Sequence, residues 1–536
     1  MSASIEPPAS RARPRPLEPA TWSGAWAVVV ALTTGVVFSL AYPGPDQGWL
    51  AWVGMVPLWA LLLTRQRFRE FALVSFAWSL GFFGGLLHWF AAFHPLTWLG
   101  MSDLESLLVV GLAWTVLSGF LGLSAAVALT LVGLGFRRMP PGTDLRGARM
   151  AALVFAGWSA LEVFQTVNPF GLTLGQVAST QYRFLPLLQG VRWVGSFPLG
   201  ALIVAFNAAL AHAWVTRRPR TVLAVAAVAL TWVLAAAIAP GPDPGAALRV
   251  SVVQGNVSQT EKWSPGNEWR LLERYERLTR EASPSDLVVW PESALPVVLL
   301  QTPAMLDRLA DLARERRTAL VTGTFIVEPP LAGGRPRIYN GTVGVGPDGR
   351  VLGWDAKKHL VPFGEYLPGR DTLPSWWSGF FARMNMLGQD LTPGDHPRIF
   401  SLPGAAVGSN VCFDSLFPDV MRRTAAAGAE LLVLVTNDGW YGRSAALRQH
   451  LAQGVLRAVE TGRPFIQAAN TGASALVGAS GRIEAEAPWA VEVALSGTVR
   501  TGGGTTPYVR WGDAPAIVMM LLAAVLAFFK PGRRHA

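Results

Sequence analysis

One cysteine, Cys412, stands in 536 residues, and charged residues make up only 15% of the chain. A lone thiol excludes an intramolecular disulfide, which leaves core filler or nucleophile as its uses. The seven histidines are scattered, and no His/Cys/carboxylate group has metal-ligand spacing. No glycine-rich loop follows a strand pattern as a phosphate cradle requires. Neither a metal nor a cofactor is therefore expected. Lysine is scarce as well: of 45 basic residues only Lys262, Lys357, Lys358 and Lys530 are lysine. Where arginine serves every plain positive charge, a retained lysine marks a need for a compact ammonium or a titratable amine.

The shortage of charge has its counterpart in 51% hydrophobic residues and 22 Trp, against a soluble average of ~25% charged. Apolar runs recur at Trp22–Tyr42, Trp49–Leu63, Phe71–Phe93, Leu107–Leu134, Met150–Val167, Trp193–Val215, Val222–Ala239 and Ala514–Phe529. A bilayer-spanning helix needs roughly 17–25 mostly apolar residues, and most of these runs qualify. Trp49–Leu63 and Ala514–Phe529 are short and need flanking residues to complete a span. The first run has no small-residue cleavage site after it and reads as an uncleaved span.

Arginine clusters alternate between the loops. Arg11, Arg13 and Arg15 precede the first run; Arg65, Arg67 and Arg69 follow the second; Arg137, Arg138, Arg146 and Arg149 follow the fourth. Arg217, Arg218 and Arg220 follow the sixth, and Lys530, Arg533 and Arg534 follow the last. The intervening loops are nearly free of basic residues, which is the positive-inside pattern. The expectation is a cytoplasmic tail 1–21, a seven-helix membrane domain 22–239, an outer domain 240–512, an eighth span 513–530 and a cytoplasmic tail 531–536. The net charge of +10 resides in the membrane loops, since residues 241–512 hold 27 Lys plus Arg and 26 Asp plus Glu. Nucleic-acid binding is thereby a poor reading.

The outer segment alternates β-rich runs with amphipathic helical stretches. Strands are expected at Arg249–Val257, Leu287–Trp290, Ala319–Val327, Gly341–Val345, Val351–Trp354, Ala406–Val411, Leu431–Thr436, Phe465–Ala469 and Ala475–Gly478. Helices are expected at Glu268–Ala282, Pro303–Arg317, Phe417–Ala427 and Ala446–Thr461. Pro347-Asp348-Gly349 and Ser480-Gly481 read as hairpin tips, and Gly502-Gly503-Gly504 as a flexible link to the last span. The pattern is that of a layered α/β domain.

Three chemical groups fall at strand ends. Glu292 follows Leu287-Val288-Val289-Trp290 after a proline that ends ladder pairing. Cys412 ends Ala406–Val411, and Asn437-Asp438 ends the next strand. A thiol must lose its proton to attack a carbonyl, and a nearby carboxylate can accept it. A lysine ammonium would stabilise the thiolate and then the oxyanion. Adjacent strand residues point to opposite faces, so at most one of Lys357 and Lys358 faces the thiol. His359 and His450 read as structural. Each of Glu292, Lys357 and Cys412 alone also fits a solvated strand end or core filler.

Trp290-Pro291-Glu292-Ser293, Lys357-Lys358-His359-Leu360-Val361-Pro362-Phe363-Gly364-Glu365 and Asn410-Val411-Cys412-Phe413-Asp414 resemble the Glu-Lys-Cys motifs of the nitrilase superfamily. With seven spans before and one after, the chain resembles the bacterial apolipoprotein N-acyltransferase family from about residue 22 to 530. The resemblance implies an αββα sandwich facing the periplasm, anchored in the inner membrane. It implies transfer of a fatty acyl chain from a phospholipid to the α-amine of an S-diacylglyceryl-cysteine apolipoprotein, through a Cys412 thioester. By motif position Glu292, Lys357 and Cys412 are the catalytic residues, Glu365 a second functional glutamate and Trp263 a functional tryptophan. Where the family often has Cys-Tyr-Glu, this chain has Cys412-Phe413-Asp414, so the tyrosine hydroxyl is missing and Asp414 is a shorter acid. The Phe413 N–H remains available to an oxyanion.

Trp376, Trp377, Phe380 and Phe381 lie between the lysine and cysteine motifs, with Met384, Met386 and Leu387. Beside a bilayer this reads as a membrane-dipping, substrate-binding loop; in a soluble protein it would be core. His88, Glu162 and Gln165 are the few polar groups within spans, and all fall toward the outer ends. Two other functions compete: a membrane-tethered amidase, in which water discharges the thioester, and a non-enzymatic scaffold or transporter. The phospholipid donor, the lipoprotein acceptor and the bilayer are the expected partners of a monomeric enzyme.

Overall fold

A computed structural model of the chain describes residues 24–528, apart from 66, 98–99, 140–144, 169–170, 172, 239–242, 331–334 and 371–389. The N-terminal apolar runs fold as helices at Gly24–Ser39, Val56–Thr64, Phe68–Leu86, Asp103–Arg137, Arg146–Val167, Phe197–Thr216 and Arg220–Ile238. Among the described residues, Asp103–Arg137, Arg146–Val167, Phe197–Thr216 and Arg220–Ile238 are long and apolar enough to cross a membrane. Gly24–Ser39, Gly48–Thr64 and Ala514–Phe528 are shorter apolar stretches. The run at Trp49–Leu63 divides into a 3-10 turn, Gly48–Trp52, and a helix with Pro57 in its first turn, where the missing N–H removes no helical bond.

Helix Phe197–Thr216 is the centre of this bundle, with Leu199, Ile203 and Val204 fully buried. Helices Asp103–Arg137 and Arg220–Ile238 expose leucines instead, including Leu107, Leu112, Leu131, Leu223 and Leu230. Apolar rows of this kind are unfavourable in water and suit a hydrocarbon surround. Ser102 caps the longest helix by accepting from Glu105 N–H, while the Glu105 carboxylate accepts from Ser102 N–H, a reciprocal capping box. Glu162 is buried, and its Oε1 accepts from Trp158 Nε1 and from Val177 N–H, both at 3.0 Å. The carboxylate thereby ties helix Arg146–Val167 to the loop that follows it.

The described residues within 243–503 form twelve strands: β1 (Asp243–Gln254), β2 (Leu287–Val289), β3 (Ala319–Glu328), β4 (Arg337–Val345), β5 (Val351–Ala356), β6 (Ile399–Leu402), β7 (Ala405–Val411), β8 (Leu431–Thr436), β9 (Phe465–Ala469), β10 (Ala475–Val477), β11 (Ile483–Glu486) and β12 (Val493–Gly503). They make two six-stranded sheets, ordered β12-β1-β2-β3-β4-β5 and β11-β10-β9-β8-β7-β6. Strands β1, β2 and β3 run parallel, as do β7, β8 and β9.

Alternation sorts the side chains of each strand between two cores. Val250, Val252, Leu287, Val289 and Val321 of one sheet meet Val407, Val411, Leu431, Val433 and Val435 of the other. On the far side of the first sheet, Val288, Leu320 and Val343 pack against helices Glu268–Glu281 and Pro303–Arg316 through Leu272, Leu278, Leu309 and Leu312. On the far side of the second, Leu432, Leu434 and Phe465 pack with Leu451, Val455 and Leu456 of helix Ala445–Thr461. That layer is continuous with Phe38, Trp78 and Leu202 of the helical bundle. Each fully buried Leu or Val contributes ~1.5–3 kcal/mol, so one apolar core holds the second sheet to the bundle. Polar ties reinforce it: Trp89 Nε1 donates to Gln449 Oε1 at 3.1 Å, and Ser196 N–H to Glu460 Oε1 at 3.0 Å.

Three strands lie outside the sequence expectation. β6 and β11 are short edges, and β12 contains Ser496-Gly497-Thr498. Gly502 and Gly503 are not a loose link: they pair with Pro244 and Asp243, and Arg463 donates to the Gly503 and Gly504 carbonyls at 3.0 and 2.6 Å.

Candidate active site

The parallel strands deliver their C-terminal ends to one edge of the sandwich. Glu292 lies three residues past β2, Lys357 directly follows β5, Cys412 directly follows β7, and Asn437 directly follows β8. Pro291 releases the chain from the sheet, since it has no N–H to give to β3. Glu292, Lys357 and Asn437 are all buried.

Glu292 is held at both oxygens. Oε1 accepts from Asn340 Nδ2 at 2.6 Å and Oε2 from Asn437 N–H at 2.8 Å. Lys357 Nζ lies 3.8 Å from Glu292 Oε1 and donates to Glu365 Oε1 at 2.9 Å. Asn340 Nδ2 also reaches Glu365 Oε1 at 2.9 Å, and Val361 N–H donates to Glu365 Oε2 at 2.8 Å. One ammonium thus sits between two carboxylates that a single amide bridges. Burial works against the Lys357 charge, but Glu365 and Glu292, joined by Cys412 whenever it is ionised, outweigh it and hold the pKa above the ordinary lysine value. Lys357 is a fixed cation here, not a titrating base.

Cys412 adopts φ +47°, a left-handed conformation that non-glycine residues seldom take, at the start of a 3-10 turn, Cys412–Leu416. Holding such a backbone costs ~1–3 kcal/mol unless its surroundings fix it. Two buried side chains do so. Asp414 accepts from Val411 N–H at 3.1 Å, and from Lys358 and His359 N–H at 3.0 and 2.9 Å. The carboxylate therefore clasps the cysteine turn to the lysine segment. His450 contacts Asp438 Oδ1 through Nδ1 at 2.9 Å, and the Cys412 carbonyl and Ser415 Oγ through Nε2 at 3.1 and 2.9 Å.

Burial first, and then the Glu292 and Asp438 charges, push the Cys412 thiol well above its ordinary pKa; Lys357 and a hydrogen bond with Thr436 oppose this. The resting group is the thiol, and a thiol needs a base before it can attack a carbonyl; of the two carboxylates that act on it, Glu292 acts the more strongly. Lys262, fully buried, donates to the Glu292 carbonyl at 3.0 Å, and burial pulls its pKa down to about 7.

Among the residues expected to act, the structure brings Glu292, Lys357, Glu365 and Cys412 into one cluster. Lys358 points elsewhere, to Asp355 Oδ2 at 2.5 Å. Trp263 is half-buried against Phe325, and its Nε1 donates to Gln259 Oε1 at 3.2 Å. Gln259 in turn donates to Asn437 Oδ1 at 3.1 Å. Phe413 packs edge-on against Phe417. Trp376, Trp377, Phe380 and Phe381 lie outside the described residues. Among the described residues no group of three or more His, Cys, Asp or Glu side chains is placed to hold a metal.

Sequence reasoning missed Asn340, Lys262 and the part taken by His450. Asn340 lay just before the expected strand Gly341–Val345, and only the longer β4 of the structure places it within the sheet. For Lys262 the available signal was the scarcity of lysine.

Residues 249–502 match the family model for carbon-nitrogen hydrolases, and residues 34–209 match that for the apolipoprotein N-acyltransferase N-terminal domain. An apolipoprotein N-acyltransferase of Geobacter metallireducens is 34% identical over 93% of this chain and 94% of its own length. One of Gloeobacter violaceus is 32% identical over 95% of each chain, and one of Vibrio cholerae 28% identical over 94% of this chain and 97% of its own. With both halves matched, and identity above 30% along nearly its whole length, the chain belongs to the apolipoprotein N-acyltransferase family.

Proposed function

We propose that the protein moves a fatty acyl chain from a membrane phospholipid onto the N-terminal α-amine of a diacylglyceryl-cysteine apolipoprotein, with Glu292, Lys357 and Cys412 as its catalytic residues. The observation that carries this reading is a single thiol held on a strained turn, under the influence of a fixed ammonium and a buried carboxylate. Glu292 takes the Cys412 proton as sulfur attacks the ester carbonyl. Lys357 and the Phe413 N–H receive the charge that develops on the carbonyl oxygen. The carbon–oxygen bond then breaks, and Glu292 returns its proton to the departing lysophospholipid oxygen. The acceptor amine attacks the thioester, Glu292 takes up its proton, and the cysteine sulfur leaves and is reprotonated. Glu365 keeps Lys357 charged, and Asp414 fixes the turn. Trp263, Trp376, Trp377, Phe380 and Phe381 are assigned to substrate contact.

Eight spans bounded at 22–239 and 513–530, a periplasmic catalytic domain at 240–512 and a monomeric state complete the proposal. It is supported by the arginine alternation between loops and by the outward leucines of the long helices. Intact-mass measurement after incubation with phospholipid in micelles tests the chemistry. The expected result is one acyl adduct on Cys412, absent in Cys412→Ala and discharged by a diacylglyceryl peptide. Discharge to free fatty acid at the same rate with or without the peptide would establish a hydrolase instead.

A further inference from the structure

We propose that His450 is a positioning residue for acyl transfer, acting through the Cys412–Phe413 peptide to aim and strengthen the Phe413 N–H toward the acyl oxyanion. The inference rests on the reading of Cys412 as nucleophile and of that N–H as an oxyanion donor.

A carbonyl oxygen only accepts, so at 3.1 Å from the Cys412 oxygen the Nε2 atom carries a proton. On the other side, Nδ1 is 2.9 Å from Asp438 Oδ1, which also accepts from the Thr436 hydroxyl at 2.8 Å. Asp438 is fully buried and His450 nearly so. The Asp438 charge, opposing burial, raises the His450 pKa, which favours a proton on both ring nitrogens. Ser415 Oγ stands 2.9 Å from Nε2 and donates to the same carbonyl at 3.1 Å. The ring N–H, shared with Ser415 Oγ, and the Ser415 hydroxyl thus converge on the Cys412 oxygen.

That carbonyl and the Phe413 N–H are the two ends of one planar peptide unit. Drawing electron density toward the oxygen leaves the N–H more positive, and hydrogen bonds in series strengthen one another by about 10–30% each. Two donors also fix the plane of the peptide, and so the direction of its N–H, at a residue whose φ of +47° gives the turn little stability of its own. The ring comes from helix Ala445–Thr461, on the outer layer of the sheet.

Two reactions of the same sulfur separate this role from a merely structural one. Alkylation by iodoacetamide is substitution at a tetrahedral carbon and builds no oxyanion on the protein. Acylation by phospholipid in mixed micelles does. His450→Asn removes the donor at the Nε2 position, whereas His450→Gln places an amide N–H there. Loss of a complete oxyanion donor costs ~10²–10³-fold, and a weakened, misaimed one is expected to cost about 10- to 100-fold. His450→Asn should slow acylation by that factor with KM unchanged and alkylation within about threefold of wild type, and His450→Gln should recover most of the loss. Parallel loss of both reactions would overturn the proposal, because His450 would then be setting the thiol or the fold. Normal acylation in His450→Asn, or no recovery in His450→Gln when alkylation shows the turn intact, would overturn it too. If wild type forms no acyl adduct on Cys412, the nucleophile reading itself fails, an outcome the same control reveals.

Discussion

Asp414→Asn isolates the clasp between the cysteine turn and the lysine segment without changing side-chain size. Asp414 is fully buried and accepts from three backbone N–H groups, those of Val411, Lys358 and His359. An asparagine can keep its oxygen toward Lys358 and His359, but its amide nitrogen then faces Val411 N–H. One charge-assisted bond is lost, at ~1.5–3 kcal/mol, and a buried donor faces a donor, at ~1–3 kcal/mol. The sum of about 2.5–6 kcal/mol corresponds to a fall in Tm of order 10 °C for a domain of this size. Since the clasp fixes Lys357 relative to Cys412, acyl-enzyme formation should also drop, by about 100-fold, even at temperatures where the variant is folded. Thermal unfolding in detergent, followed by tryptophan fluorescence, and stoichiometric acylation from phospholipid measure the two effects. A Tm within 2 °C of wild type and an unchanged acylation rate would show that these bonds carry no energy.

The other substitutions separate chemistry from packing. Glu292→Gln and Lys357→Ala should each lower acylation by ~10²–10⁴-fold, as loss of a general base or an oxyanion partner does. Lys358→Ala should lower Tm, because it leaves buried Asp355 unpaired, while acylation below the melting range stays near normal; equal activity loss in both lysine variants would refute the assignment. Lys262 adds a pH test. Its folded pKa of about 7 lies below the unfolded value, so between about 7 and 10 the unfolded chain binds more protons and stability rises with pH. The Tm of wild type minus that of Lys262→Met should therefore increase across that window, and a constant difference would exclude a neutral buried amine. In a Cys412→Ala background, Gln47→Cys should label with an impermeant thiol reagent from outside the cell and Gly142→Cys only after lysis; the reverse would place the catalytic domain in the cytoplasm.

What could be read from the sequence were the features that a local rule exposes. Glu292, Cys412 and Asn437 end short apolar runs, and such runs become buried strands whose ends emerge at one edge. Lys357 stood out because arginine takes nearly every other positive position. The missing pieces depend on contacts between distant segments. Asn340 acquires meaning only when β4 lies between β3 and β5 and sets one amide between Glu292 and Glu365. His450 looks like any helical histidine until its helix packs against a turn 38 residues earlier. β12 escaped notice because Ser496-Gly497-Thr498 interrupts its pattern, although pairing with β1 from the far end of the domain supplies the order its sequence lacks.

The placement of the proposed nucleophile on the second sheet fits the substrate. Each methylene moved out of an apolar surround into water costs ~0.8 kcal/mol, so a chain of ~16 carbons cannot leave the bilayer freely to find a remote site. Cys412 ends a strand of the sheet whose outer layer merges with the helical bundle. Its turn is tied directly to a bundle loop, since Thr173 Oγ1 donates to the Leu416 carbonyl at 3.0 Å. Gly171 of the same loop approaches so near that a Cβ there would lie 3.0 Å from the Phe417 ring. Nearby, Tyr441 packs edge-on against Trp89 and also contacts Phe93, with centroids 5.2 and 5.8 Å apart. An amidase of water-soluble substrates has no use for a cysteine turn tied to the loops of an apolar bundle. An enzyme that draws one reactant from lipid needs the thiol within reach of the helices, and the cost of exposing the acyl chain sets that distance.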